Sequence, residues 1–255
     1  MRLTILGSGS SHGSPVIGCT CETCTSDDPR NARYRASALV EVDGRAFLID
    51  TGPELRLQAL RAGLRRIDAV LYTHFHADHV HGLDDLKSFN AALGGALPCY
   101  GNTQTGAVLR DRFEYAFAGT PWVGLIPHLT FEVVDDPFEL LGVPITPIDL
   151  QHGRIRSHGW RIGGLAYLTD ANDIPPSSLA RLHGLDLLVI DGLRPRPHPT
   201  HYSIGEAVAV AERLRPQRAL LTHMNHNVEY NRESAGLPDG VALAYDGLVL
   251  DLPDP

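Results

Sequence analysis

The stretch that most constrains this chain is Thr73-His74-Phe75-His76-Ala77-Asp78-His79, directly after the apolar run Ala69-Val70-Leu71-Tyr72. The run reads as a buried strand whose end presents three imidazoles and a carboxylate. In extended chain, side chains two apart share a face, so His74 and His76 can grip one ion together. Asp78 and His79 lie past the strand end, where a turn can aim them at a second ion beside the first. Imidazole and carboxylate suit zinc, manganese or iron. The alternative, a surface histidine cluster, gives no reason for polar residues this dense at the end of a buried strand.

The 255 residues fit one domain, or one large α/β unit with a substantial core. Net charge is −8 with histidine neutral, and Lys87 is the sole lysine. An acidic chain is not built for long polyanions, so long nucleic acid is not the expected partner, although bound divalent ions would make a cleft locally positive. Met1 to Gly7 reads as a short strand, too soon broken by the Gly/Ser turn for a signal peptide. No apolar run reaches membrane-spanning length. The expectation is a soluble cytoplasmic protein, with a homodimer as the default assembly. Cys19, Cys21 and Cys24 crowd together, which in the cytoplasm favours a metal over a disulfide. Three thiolates need a fourth ligand for tetrahedral zinc. Spacing alone leaves a stray cluster or a redox loop open.

Along the chain, Leu3–Leu6 reads as the first strand and Gly7–Pro15 as a glycine-rich loop. That loop lacks the lysine and following helix of a phosphate-binding P-loop. His12 within it either lines a site or has no role. Ser37–Val42 and Arg45–Asp50 read as strands joined at Asp43-Gly44. Asp50, at a strand mouth, orients a ligand histidine or caps a turn. A helix runs from Pro53-Glu54 to about Ala62 and stops at Gly63. His81, Asp84 and Asp85 are read as solvated or supporting, not as ligands. Leu97–Tyr100 is a strand with Cys99 as a small buried hydrophobe. A helix over Thr105–Tyr115 has Thr103 or Thr105 as its cap. Leu129–Val133, Phe138–Leu141 and Val143–Leu150 alternate as strands, the last running into Gln151-His152-Gly153. Taken alone, a histidine at such a tip is more often structural than a ligand.

Strands Ser157–Ile162 and Leu165–Asp170 follow, then a helix capped by Ser177 or Ser178, then strand Leu185–Asp191. Asp191 supports a ligand or caps the next loop. That loop, Gly192–His201, is rich in proline, arginine and histidine; proline stiffening lowers the entropy lost on clamping a ligand. Arg194 and Arg196 suit forked hydrogen bonds to phosphate, or are merely solvated. Helix Ile204–Leu214, capped by Ser203, leads to strand Arg218–Thr222 and then to His223-Met224-Asn225-His226.

The HxHxDH pattern resembles the metallo-β-lactamase fold superfamily, and the resemblance runs the whole chain because further ligands stand in the expected order. It implies that His74, His76 and His152 hold one divalent cation, that Asp78, His79 and His223 hold a second, and that Asp170 bridges them. It supports Asp50 as the partner of a ligand histidine. Cys19-x-Cys21-x-x-Cys24 with His226, three residues after His223, resembles the PhnP-like phosphodiesterases, which use such a set for a separate structural zinc. His201 matches the histidine on their loop before the late helix. The loop Gly192–Pro199 departs from that pattern in its arginines and prolines, which puts the particular substrate in doubt.

The resemblance implies a four-layer αββα sandwich, one domain over residues 1–255 with a zinc loop at about 8–30, and the metals at one sheet edge. The expected activity is hydrolysis of a small, cyclic or nucleotide-like phosphate ester by hydroxide formed between two divalent cations, manganese, zinc or iron. Asp78 acts through its ion, and His201 donates the leaving-group proton with His198 as its rival. Arg194, Arg196 and His198 are the candidate substrate contacts. A superfamily nuclease of the tRNA-processing or DNA-exonuclease kind, and a PqqB-like non-hydrolytic cofactor-biosynthesis protein, are the competing readings.

Overall fold

The computed structural model describes residues 1–119 and 126–255. Two seven-stranded sheets lie face to face. The first contains β1 (Arg2–Gly7), β2 (Ser37–Val42), β3 (Arg45–Ile49), β4 (Ala69–Leu71), β5 (Leu97–Gly101) and β6 (Leu129–Val133). The second contains β7 (Phe138–Leu140), β8 (Val143–His152), β9 (Ile155–Ile162), β10 (Leu165–Leu168), β11 (Leu187–Asp191), β12 (Arg218–Thr222) and β13 (Val241–Leu243). The last strand, β14 (Val249–Asp251), returns to the first sheet and pairs antiparallel with β1. The order is β14-β1-β2-β3-β4-β5-β6 in one sheet and β13-β12-β11-β10-β9-β8-β7 in the other.

Strand parity explains the layers. Leu3, Ile5, Phe47, Ile49, Ala69 and Leu71 share one buried cluster with Trp160, Ile162, Leu165, Tyr167 and Val189, which is the seam between the sheets. The alternate residues Leu6, Leu48, Val70 and Tyr72 point the other way, packing with helix α1 (Leu55–Ala62) and with Phe89 and Leu109. On the second sheet Ala166, Leu168, Leu188 and Ile190 likewise turn outward, towards Ala207, Ala211 and Leu214. Side chains alternating between faces therefore demand cover on both sides of each sheet, and the αββα sandwich supplies it.

Three expectations shift. The helix over Thr105–Tyr115 is two pieces, Thr103–Arg112 and Glu114–Phe117, because Phe113 leaves helical geometry between them. Its cap is Asn102, whose side chain accepts the Thr105 N–H at 2.8 Å, so neither threonine serves. The helix expected to be capped by Ser177 or Ser178 is Pro176–Leu179; it starts before both, follows Pro175 and has no side-chain cap. Short helices at Ala77–Val80 and Lys87–Leu93 and the strands β13 and β14 carry too few residues for a period to show.

The parallel pairs β3/β4, β10/β11 and β11/β12 bring their C-terminal ends to one edge. β8 runs the same way as β10, because both are antiparallel to β9. His74, His76, His152, Asp170 and His223 lie at or just past these ends, Asp78 and His79 follow in the short helix Ala77–Val80, and the cysteines come from the loop after β1.

Candidate active site

Asp50, Asp170 and His223 directly follow or lie within two residues of β3, β10 and β12, and all three have φ between 56° and 60°. Left-handed geometry in a residue with a Cβ costs on the order of 1–3 kcal/mol. Here it makes a sharp turn out of the sheet, and the side chain is delivered into the gap between the two sheets.

The donor atoms of His74, His76 and His152 lie within 4.8 Å of one another, as do those of Asp78, His79 and His223. Asp170 sits between the two groups. Its Oδ1 is 3.9 Å from His74 Nε2, 3.8 Å from His152 Nε2 and 3.4 Å from His223 Nε2, while its Oδ2 is 3.1 Å from His79 Nε2. All seven side chains except that of His76 are buried. Nε2 of His79 and both ring nitrogens of His223 are buried without a hydrogen-bond partner. Buried, unpaired nitrogens facing carboxylates are costly unless a cation completes them, so this donor set fits a pair of divalent ions.

Neighbouring groups set each ring. Asp50, fully buried, accepts from Thr73 N–H and Thr73 Oγ1 at 2.8 Å each and lies 2.7 Å from His79 Nδ1. That pairing fixes the tautomer that turns Nε2 towards Asp170. The Thr200 carbonyl does the same for His152, 2.7 Å from Nδ1. His201 Nδ1 is 2.7 Å from Asp191 Oδ2, so its Nε2 is left as the free nitrogen. His201 Nδ1 also lies 3.8 Å from Asp170 Oδ1, but Asp191 occupies it. The Thr200 carbonyl escapes sequence reading, since a backbone carbonyl has no residue signature; Asp191, read from sequence as supporting a ligand or capping the next loop, stands against His201.

The two halves differ electrically. Burial, then neighbouring imidazoles, pushes His74, His76 and His152 below the ordinary histidine value, so they stand neutral at pH 7, the form that binds metal. Burial also opposes a proton on His223, but the carboxylates of Asp170, Asp78 and Asp191 outweigh it and raise the ring to about 9. His79 is raised by the same contest, and Asp170 and Asp78 are correspondingly held far below the carboxylate range despite burial.

The cysteine segment closes on the same edge. Sγ atoms of Cys19, Cys21 and Cys24 lie 3.2, 3.5 and 3.7 Å from His226 Nδ1. With Zn–S near 2.3 Å and Zn–N near 2.0–2.1 Å, a tetrahedral edge between sulfur and nitrogen is about 3.6 Å, so the set fits zinc. The Cys24 backbone N–H and the neighbouring side chains lower the Cys21 thiol to about 6 against desolvation, which suits a thiolate ligand.

A cavity of about 510 Å³ opens over the paired groups, lined by Asp78, Asp170 and His223 at its floor. His198, His201 and Arg194 line it too, but Arg196 does not. Arg196 faces a neighbouring cavity, and its carbonyl accepts Arg194 Nε at 3.1 Å. Of the residues expected from the sequence to contact substrate, His198 and Arg194 line this cleft and Arg196 lies outside it. His12, given no definite role from sequence, lines it together with Ser10 and Ser11.

Residues 45–224 match the family described as the beta-lactamase superfamily domain. A solved structure described as a new diphosphatase from the PhnP family is 41% identical, superposes with a TM-score of 0.92 and covers 99% of this chain and 98% of that one. Zn(2+)-bound PqqB from Methylobacterium extorquens shares the fold at 22% identity, with a TM-score of 0.78 and coverage of 99% and 100%. An octanoyltransferase of Porphyromonas gingivalis is 38% identical over 252 residues, 97% of this chain and 51% of that protein. The chain thus spans about half the length of that curated relative. On the domain match and the near-complete overlap with the PhnP-family structure, the chain belongs to the PhnP family of the beta-lactamase superfamily.

Proposed function

We propose that the protein hydrolyses a small phosphodiester, with His74, His76 and His152 holding one divalent cation, Asp78, His79 and His223 a second, and Asp170 shared between them. The single observation that carries this is the Asp170 carboxylate, within 3.1–3.9 Å of imidazole nitrogens from both groups. When bound, two such cations supply an ionised water near neutral pH and take up charge on phosphoryl oxygens. The chain's own residues do the rest. Asp50 and the Thr200 carbonyl orient His79 and His152. Asp191 holds His201 so that Nε2 can give a proton to the departing oxygen. His198, whose Nδ1 is 3.2 Å from Thr200 Oγ1, is tied to the loop and is the weaker donor candidate.

Turnover of bis(p-nitrophenyl) phosphate, with manganese or zinc added, is the first test. A panel of cyclic phosphates, linear diesters and diphosphate diesters follows. Activity on none of them overturns the reading. A diphosphate linkage is the second reading, favoured by the 41% identical neighbour described as a diphosphatase. RNA cleavage is not expected: the cleft measures about 510 Å³ in a chain of net charge −8.

Cation uptake should depend on pH. His223 carries a proton below about 9, and a cation must displace it, so affinity in that half rises as pH climbs towards 9 and falls as pH drops. Calorimetric titration of metal-free protein at pH 7, in buffers of different ionisation enthalpy, should register proton release. A buffer-independent heat contradicts the assignment.

The cysteine site has no open position, and its expected role is to tie the loop after β1 to the segment after His223. Cys21→Ser should contain one zinc fewer per chain and melt at lower temperature, with the paired site still loaded. Equal zinc in variant and wild type defeats the structural-zinc reading. Thiolates kept for metal suit a reducing compartment, which supports a cytoplasmic location; no described helix is long and apolar enough to cross a membrane.

A further inference from the structure

The loop that carries His12 is built into the site more firmly than an idle loop would be. Residues Ser8–Ser14 are pinned on both flanks. Ser10 N–H donates to the Met224 carbonyl at 3.0 Å and Met224 N–H to the Ser8 carbonyl at 2.9 Å, which ties the loop to the residue directly after His223. On the other flank Ser14 and Arg33 exchange backbone hydrogen bonds at 2.9 and 2.7 Å, and Gly9 N–H reaches the Tyr34 carbonyl at 2.8 Å. The tip is a tight turn, closed by Gly13 N–H on the Ser10 carbonyl at 2.8 Å, with Gly13 at φ 65° and its would-be Cβ 3.0 Å from the Arg33 carbonyl. Arg35 Nε holds the Ser11 carbonyl at 3.0 Å.

What this turn presents is Ser11 and His12. Both are exposed, both line the cavity over the paired groups, and their one side-chain hydrogen bond is a long mutual contact of 3.5 Å. The rigid frame and the free polar tips are what a binding group needs: little entropy is lost when a ligand is gripped, and donors are unspent. His201 and His198 come from the second sheet, from the loop after β11, whereas Ser11 and His12 follow β1 of the first sheet. If His201 serves the departing oxygen, the group that meets Ser11 and His12 is the arm that stays on phosphorus.

We infer that His12, with Ser11 beside it, is a specificity-determining residue that hydrogen-bonds a polar, sugar-like retained arm of the substrate. This deepens the phosphodiesterase reading and rests on it. A diester with a polar retained arm should be preferred over one with a methyl group there, because a site that offers hydrogen bonds discriminates against a substrate that cannot take them.

The test compares metal-loaded wild type, His12→Ala and His12→Gln on thymidine p-nitrophenyl phosphate and on methyl p-nitrophenyl phosphate. In His12→Ala the kcat/KM for the thymidine ester should fall about tenfold, the loss of one good hydrogen bond, mostly through KM, with the methyl ester nearly unchanged. His12→Gln, which keeps a donor and an acceptor, should recover most of the preference. Metal content and Tm should match wild type throughout. An unchanged preference in His12→Ala, or an equal loss on both esters, overturns the inference. If the wild type turns over neither ester, the reaction reading fails, and binding decides on its own. Calorimetric affinity for thymidine monophosphate, but not for methyl phosphate, should then weaken about tenfold in His12→Ala. Equal affinities in variant and wild type overturn it.

Discussion

Asp170→Asn should take up one divalent cation fewer than wild type and lose roughly 10³–10⁵ in turnover, since each cation contributes several kcal/mol of charge stabilisation and 1.36 kcal/mol is tenfold in rate. Asparagine keeps the shape of the side chain but not its charge. Among the described residues, Asp170 is the one carboxylate within 4 Å of imidazole nitrogens of both halves, His74 and His152 on one side, His79 and His223 on the other. It is also buried and sits two residues past β10 in a left-handed turn. The variant has a second signature. Cations stabilise the folded state by mass action, by about 2.7 kcal/mol at a concentration one hundred times Kd. Added manganese or zinc should therefore raise the wild-type Tm well beyond that of Asp170→Asn. Equal metal content and equal Tm gain in the two proteins count against a shared carboxylate.

His201→Ala should lower turnover of an alkyl phosphodiester by roughly 10²–10⁴-fold while leaving metal content unchanged. The expectation comes from the Asp191–His201 pair at 2.7 Å, which engages Nδ1 and leaves Nε2 of His201 as the ring nitrogen available to the cleft for proton transfer. A departing alkoxide needs that proton; p-nitrophenolate leaves well without it. The same variant should therefore lose much less activity on bis(p-nitrophenyl) phosphate than on an alkyl ester. A loss independent of the leaving group points to a binding or structural role, and loss of metal would show that His201 is a ligand. Asp191→Asn tests the same pair from behind. It should show a smaller version of the His201→Ala pattern, because the ring stays in place but loses the partner that sets its tautomer.

Much of this architecture can be read from residue order, for reasons that differ by element. Strands such as Ser37–Val42 and Arg45–Ile49 are covered on both faces and joined by Asp43-Gly44, a turn with a strong local signal. The run into His74 and His76 is legible because it combines a buried strand with polar residues that have no other use there. His152, Asp170 and His223 are different: each is one polar residue at one strand tip. Only the sheet order, with β8, β10 and β12 ending at one edge, turns them into a single constellation. What stays hidden is carried by backbone atoms or by fold geometry. The Thr200 carbonyl that sets His152 leaves no mark on residue identity. Arg196 looks like Arg194 in the sequence, yet the turn Arg194–Pro197 folds back on itself, so that Arg194 borders both cavities and Arg196 only the neighbouring one. His12 sits in the cleft because Met224, more than two hundred residues on, holds its loop there.

The most direct measurement is anomalous diffraction from crystals grown with manganese and zinc. The account predicts two peaks about 3.5–4 Å apart on either side of the Asp170 carboxylate, one beside His74, His76 and His152 and one beside Asp78, His79 and His223, with a separate zinc peak among Cys19, Cys21, Cys24 and His226. A single peak in the cleft, or none within bonding distance of Asp170, contradicts it.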